Sequence, residues 1–463
     1  MPWDAQPGLH DVPPGVESHL GKRPRTPSNT HYDTERNKIR CEPNKEIPDD
    51  PNAECQTCLD VRHNGKLIHA VPCDRARLNF IVARVGMLGY TERFDETRME
   101  NVPGTDTKVY VIHVKHLDLG TNREPLQLEV KSFQPIPGDT VERCWTVGGR
   151  KAEPSYRIEP YCLVDIEKTK ARFVKYLTRY CFMGLRSVGD MSEEPIVRTT
   201  YGMICQHYEE LGRRIQQAKK ASKPEIKGLE IQRKILGEAV FAWYAGRYSS
   251  GSVIILPTGS TLGMKPSPDP TYPHKDENGN NALAVPRMIS AQFDSIQHNL
   301  QYARVQDFIK DFQALIETSN HAAFLTCHLV VFLFLHWTAV ASKQRASRAK
   351  RRAYETNGIL ETPYGKRTDA MTRFVEEMHR GAVNLLRYWQ YYKSDVDFRQ
   401  LDWDGRATHK RLSKLEHYEF QFIRESAEAM RKVGMTTDLV NQNLKRELPH
   451  ELYFVEKMAR SPS

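Results

Sequence analysis

The chain has 463 residues, with 67 Lys and Arg against 58 Asp and Glu, a net charge of +9. Charged residues make up 27% and mean hydropathy is −0.61, which reads as a soluble protein of two or three domains and argues against a membrane-embedded one. The mild basic excess permits a nucleic-acid partner without requiring one.

Residues 1–30 are rich in Pro and polar side chains, poor in β-branched and aromatic ones, and are expected to be a disordered tail. The opening MPWDAQPGLHDVPPG has neither a basic n-region nor an apolar h-region, so no secretory leader is expected. Within the tail, GKRPRTP with Lys22, Arg23 and Arg25 reads equally as a nuclear import signal or a solvated charge run.

Residues 31–80 hold the densest chemistry. Four of the nine cysteines, Cys41, Cys55, Cys58 and Cys73, fall there, two of them as a C-x-x-C pair. Thiolates at such spacing suit a tetrahedral zinc site. The alternative is that they are small buried hydrophobes. That reading is the weaker one, because Pro, Asn, Asp and charged residues leave little core to bury them in. The odd cysteine total also fits a reducing compartment.

This window resembles the fungal binuclear zinc cluster family of transcription regulators. KIRC ending at Cys41 matches the third ligand of the family pattern, Cys55 and Cys58 the fourth and fifth, and Cys73 in VPCDRARL the sixth. The positions of the first two cysteines hold His31 and Thr34. The resemblance implies six thiolates around two zinc ions, so this departure predicts one ion. Cys55, Cys58 and Cys73 would hold it, with Cys41 or His31 as the fourth ligand. His63 and His69 are read as solvated. A segment this small cannot bury enough apolar surface to fold alone, and a structural zinc supplies on the order of 10 kcal/mol to such modules.

By the same resemblance, Arg36, Lys38 and Arg40 lie on the short helix that enters the major groove, with Lys38 the base-reading candidate. Phosphate contacts position such a helix and base contacts specify the site. The window from His31 to Arg77 nevertheless carries nine acidic against eight basic residues, so its electrostatic footprint on DNA is thin. Loss of two cluster cysteines is expected to weaken DNA binding further. No sustained heptad pattern follows Cys73, so a dimerising coiled coil is not supported.

Residues 81–163 read as a β-rich connecting segment. Thr107–Leu119 is enriched in β-branched residues, Leu126–Ile136 alternates with period two, and Cys144–Val164 suggests two short strands around a Gly-Gly turn. From residue 164 the apolar period becomes helical and stays so to residue 463. Helices are expected over Ile166–Leu185, Met203–Ala221, Leu229–Tyr248, Phe293–Thr318, Thr372–Ser394 and Lys410–Gly434. Ser222–Lys227 interrupts the second and third, and a long loop spans 255–286, a length that marks a loop as functional or disordered. Ala322–Ala341 is long and apolar enough for a marginal membrane span, but His328, His336 and Thr326 interrupt it, so it reads as the buried central helix of an α domain. Lys343–Arg352 then carries six cations and no acid; it reads as an import signal, a nucleic-acid patch or a solvated helix end.

Several lookalikes are set aside. Asp276–Asn281 recurs in form to a calcium loop but lacks Gly and Glu at the required places, so an Asn-Gly turn suffices. Pro257–Gly263 lacks the G-K-[ST] ending of a phosphate loop. Cys327, His328 and His336 read as core residues. The fold is therefore expected to be mainly α, with a small N-terminal zinc module, a short β-rich segment and a large C-terminal helical domain. The favoured function is a nuclear, zinc-cluster-type transcription regulator, partnered by duplex DNA or other regulatory proteins and by no membrane. The alternatives are a zinc-stabilised interaction or scaffold protein without DNA binding, and an enzyme whose site lies in the helical domain under the 255–286 loop.

Overall fold

A computed structural model describes residues 101–459, apart from 120–123, 140, 146–154, 221–224, 251–252, 273, 277, 318–320, 356–360, 363–364, 394–397, 399 and 444–450, together with Leu78. The proposed zinc window lies outside the described residues. Within them the chain is mainly helical, with a small antiparallel sheet at its front.

The sheet starts with β1 (Tyr110–His116) and β2 (Leu126–Ser132), paired so that Ile112 faces Leu128 and Val114 faces Leu126. Their alternating apolar residues turn to one side, and Ile112, Val114, Leu128 and Val130 are buried there. A short hairpin follows, β3 (Glu142–Cys144) with β4 (Ser155–Arg157), where the sequence pattern expected one. β5 (Tyr161–Leu163) adds to β2.

Two further strands come from the stretch expected to be a loop. β6 (Val253–Leu256) pairs with β1, and β7 (Leu283–Ala284) pairs with β6, giving the order β5-β2-β1-β6-β7. The sheet thus draws strands from both sides of residue 164. The intervening chain is packed down: Leu262, Met264, Ser267 and Tyr272 are buried. Trp145 Nε1 donates to Thr271 Oγ1 at 2.9 Å, Tyr156 donates to the Lys265 carbonyl, and Asn281 Nδ2 donates to the carbonyls of Ser267 and Asp269 at 2.6 and 2.7 Å. The Trp145 and Tyr156 bonds fasten the loop to the β3–β4 hairpin, and the Asn281 bonds tie the loop to itself. At its tip Asp276 accepts from the amides of Asn278 and Asn280, and Gly279 takes φ +80°, the turn that Asn-Gly predicts.

Behind the sheet stand α1 (Ile166–Asp190), α2 (Pro195–Lys220) and α3 (Ile226–Ser250). Asp165 caps α1, its carboxylate accepting from the Lys168 amide at 2.8 Å. Pro195 opens α2 at the position where a missing N–H costs nothing. The three helices approach closely: a Cβ on Gly184 of α1 would meet Tyr244 of α3 at 2.3 Å. Phe173 of α1 packs against Tyr248 of α3 and Phe293, joining sheet and helices in one core.

α4 (Arg287–Glu317) leads into α5 (Phe324–Glu355), the central helix. From Phe324 to Lys343, α5 is long and apolar enough to cross a membrane, yet 94% of that apolar window is enclosed by protein. A helix apolar on every side needs neighbours on every side, and α2, α3, α6 (Arg367–Tyr392) and α9 (Tyr453–Ala459) supply them. A two-strand ribbon, β8 (Glu361–Thr362) with β9 (Gly365–Lys366), precedes α6. The final stretch expected as one helix divides into α7 (Arg406–Arg411) and α8 (His417–Asn443). At that break Glu419 reaches back to accept from the Glu416 amide at 3.2 Å, one half of a capping box.

Candidate functional site

The residues that the sequence nominates as ligands and DNA contacts, His31, Cys41, Cys55, Cys58, Cys73, Arg36, Lys38 and Arg40, lie outside the described residues. Among the described residues no group of three His, Cys, Asp or Glu side chains is placed to hold a metal ion. The chemistry that the structure does bring together is a set of buried polar ties between helices.

The largest centres on His207 of α2, which is 1% exposed. Its Nε2 lies 2.9 Å from Thr326 Oγ1 of α5, and its Nδ1 lies 3.0 Å from the Tyr418 hydroxyl of α8. Thr326 donates its one hydroxyl proton to Gln232 Oε1 of α3 at 3.1 Å. The Thr326 oxygen can then only accept, which assigns the His207 proton to Nε2 and leaves Nδ1 as the acceptor facing Tyr418. The same Tyr418 hydroxyl reaches Glu419 Oε1 at 3.2 Å, and Arg214 NH1 stands 3.6 Å from that oxygen. Four helices thus meet at one imidazole.

Burial governs the protonation here. Desolvation, reinforced by the Arg214 charge, pushes His207 down to about 3, so it is neutral at pH 7. Desolvation pushes the Glu419 carboxyl and the Tyr418 phenol upward. A neutral imidazole stands between two hydroxyls, and the single Tyr418 proton serves two acceptors, His207 Nδ1 and Glu419 Oε1, with Arg214 beside the carboxylate. The imidazole works as a fastener between helices.

Two smaller ties sit on α5. The Tyr201 hydroxyl lies 2.7 Å from His336 Nδ1, and His336 Nε2 lies 3.8 Å from Glu451 near the carboxyl end. His328 is edge-on to Trp389 and Phe422 and lies 3.4 Å from Ser426 Oγ. Its burial, with the Lys393 charge, pushes it down to about 3. The expectation that His328 and His336 are core residues matches these surroundings. No spacing in the sequence could reveal that His207 meets Tyr418, which is 211 positions away.

The thiols are equally settled. Cys181, Cys205 and Cys327 are buried, and desolvation raises them to about 12, 11 and 12. They stay protonated at neutral pH and behave as small apolar groups. Cys162 packs with Val102, Phe133 and Met288 on the far side of the sheet.

A single body of sheet and helices, fastened by neutral histidines and carrying protonated thiols, is what the comparisons address. The family model that matches residues 85–457 describes transcription factors. The chain belongs to that family, the KpeA transcription factors. No curated protein matches it, and no solved structure does. The matched region begins after Cys73, so the assignment as a transcription regulator rests on the body and not on the cysteine window.

Proposed function

We propose that the chain is a nuclear transcription regulator of the zinc cluster type, in which a one-zinc module at 31–80 touches duplex DNA and the body at 85–457 receives regulatory partners. The match of the body to a transcription factor family carries this reading. The module supplies a contact: Cys55, Cys58 and Cys73, with Cys41 or His31, hold the ion, and Arg36, Lys38 and Arg40 face the groove. When bound, zinc supplies shape to a segment with no core of its own. Lys38 reads a base edge, and Arg36 and Arg40 hold phosphates.

The test is duplex binding by the full chain. The reading expects a salt-dependent constant, weakened on the order of tenfold for the cognate sequence by Lys38→Ala. Affinity and sequence preference unchanged by Lys38→Ala would remove the module from DNA recognition. The balance of nine acids against eight bases in the window favours a second reading, a zinc-stabilised interaction protein without DNA binding. That reading expects bound zinc and no duplex affinity.

A further inference from the structure

Leu78 is the one described residue amino-terminal to residue 101. It follows Cys73, the last cysteine of the window, by five positions and precedes residue 85, where the family match begins. Leu78 is 3% exposed and belongs to the same apolar cluster as Phe312 and Ile316 of α4. Its amide donates to Gln313 Oε1 of α4 at 3.2 Å, across 235 positions of sequence. Gln313 is itself held: its Nε2 donates to Glu317 Oε1 at 2.8 Å, one helical turn further on. With its nitrogen so engaged, the carboxamide turns its oxygen to the incoming chain. A backbone amide taken into a core needs an acceptor. Leu78 lies in no strand or helix, so a side chain of α4 provides it.

A joint of this kind limits the window whatever conformation lies between. Five residues reach at most about 18 Å when fully extended, so Cys73 stays within that distance of Leu78. Burial alone would keep Leu78 among apolar residues. The hydrogen bond adds a register, because it fixes where along α4 the chain enters the core. We infer that Leu78 and Gln313 form the joint that positions the cysteine window on the body. Leu78 fills the core cluster, Gln313 sets the point of entry, and Glu317 orients Gln313. Gln313 and Glu317 are positioning residues that act through Leu78. What moves α4 therefore moves the entry point of the window. The joint's value to DNA recognition rests on the reading of 31–80 as the module that touches DNA; the joint itself does not.

The test is limited trypsin digestion of the full chain, with mass spectrometry of the new amino termini. Trypsin must take both sides of a bond into its groove, so a buried, hydrogen-bonded Leu78 withholds the Arg77–Leu78 bond until the joint opens. The unaltered chain should release little fragment beginning at Leu78. Gln313→Met keeps a good helix former but removes the acceptor, and should speed that cut roughly fivefold, the worth of one net hydrogen bond. Cuts within the helices should keep their rate, whereas a merely structural loss would speed every site together. The pair Gln313→Glu, Glu317→Gln exchanges the two head groups, keeps both an acceptor and a donor, and should restore the slow cut. Prompt cutting after Arg77 in the folded chain, or a Gln313→Met rate equal to that of the unaltered chain, overturns the joint. A fluorescent amino acid in place of Asn64 reads the window by anisotropy decay. In the zinc-loaded chain it should tumble with the whole molecule, and Gln313→Met should add a fast component. A fast component in the unaltered zinc-loaded chain overturns the positioning role. A chain that holds no zinc yet resists cutting after Arg77 fails the zinc reading and keeps the joint, so the two fail independently.

Discussion

Acid should loosen this protein through two buried histidines, and the size of the effect follows from the structure. His207 and His328 are 1% and 4% exposed, and both are pushed down to about 3 by burial. In the unfolded chain each returns to about 6.5. A base whose folded value is depressed takes up its proton more readily when unfolded, so stability falls as pH drops below about 6.5 and keeps falling to about 3. At pH 5 each histidine costs about 2 kcal/mol, and the pair about 4 kcal/mol, against a typical total of about 5–15 kcal/mol. His274, also pushed down to about 3 by desolvation and the charges of Arg143 and Arg287, acts in the same direction. Glu419, pushed up, acts oppositely, adding stability at low pH that is lost as pH rises through its folded value. Urea midpoints at pH 7 and pH 5 measure the sum. His328→Phe keeps the aromatic contacts with Trp389 and Phe422 and should remove about 2 kcal/mol of the pH dependence. Stability that is flat from pH 7 to pH 5, or a slope untouched by His328→Phe, would refute the reasoning.

Two other consequences concern packing and thiols. Gly184→Ala drives a methyl into the ring of Tyr244, where 2.3 Å separates the new carbon from Cε2. Overpacking of that kind costs about 1–3 kcal/mol, and a thermal melt should show it; an unchanged Tm would mean that α1 and α3 separate freely. Cys181, Cys205 and Cys327 should resist a thiol reagent in the folded state and react together on denaturation; fast labelling of the folded chain at neutral pH would contradict their burial.

Much of this architecture was legible in the sequence. β1 and β2 fall where β-branched enrichment and strict alternation place them, because each strand buries one face and alternation is the physical requirement. The run from Phe324 to Ala341 reads as an enclosed helix because its polar interruptions suit partners within protein, and Thr326 and His336 do find them. Other features were hidden for a reason. β6 and β7 are four and two residues long, too short to carry a period, and they become strands only by pairing with β1 and with each other. The break between α7 and α8 rests on a capping contact from Glu419, not on a helix-breaking residue. The His207 cluster joins four helices through side chains that sequence spacing treats as unrelated. Of the candidate site, the cysteine spacing and the cation run were visible as patterns in the sequence, and the cysteine window lies outside the described residues.

The most direct trial of the regulator account is the zinc content of the purified full chain, read by elemental analysis beside protein concentration. The account predicts close to one ion per chain, lost on Cys55→Ser. A value near zero would leave the amino-terminal thiolates without a metal and the proposed DNA contact without a scaffold, and a value near two would mean that His31 and Thr34 do not break the cluster.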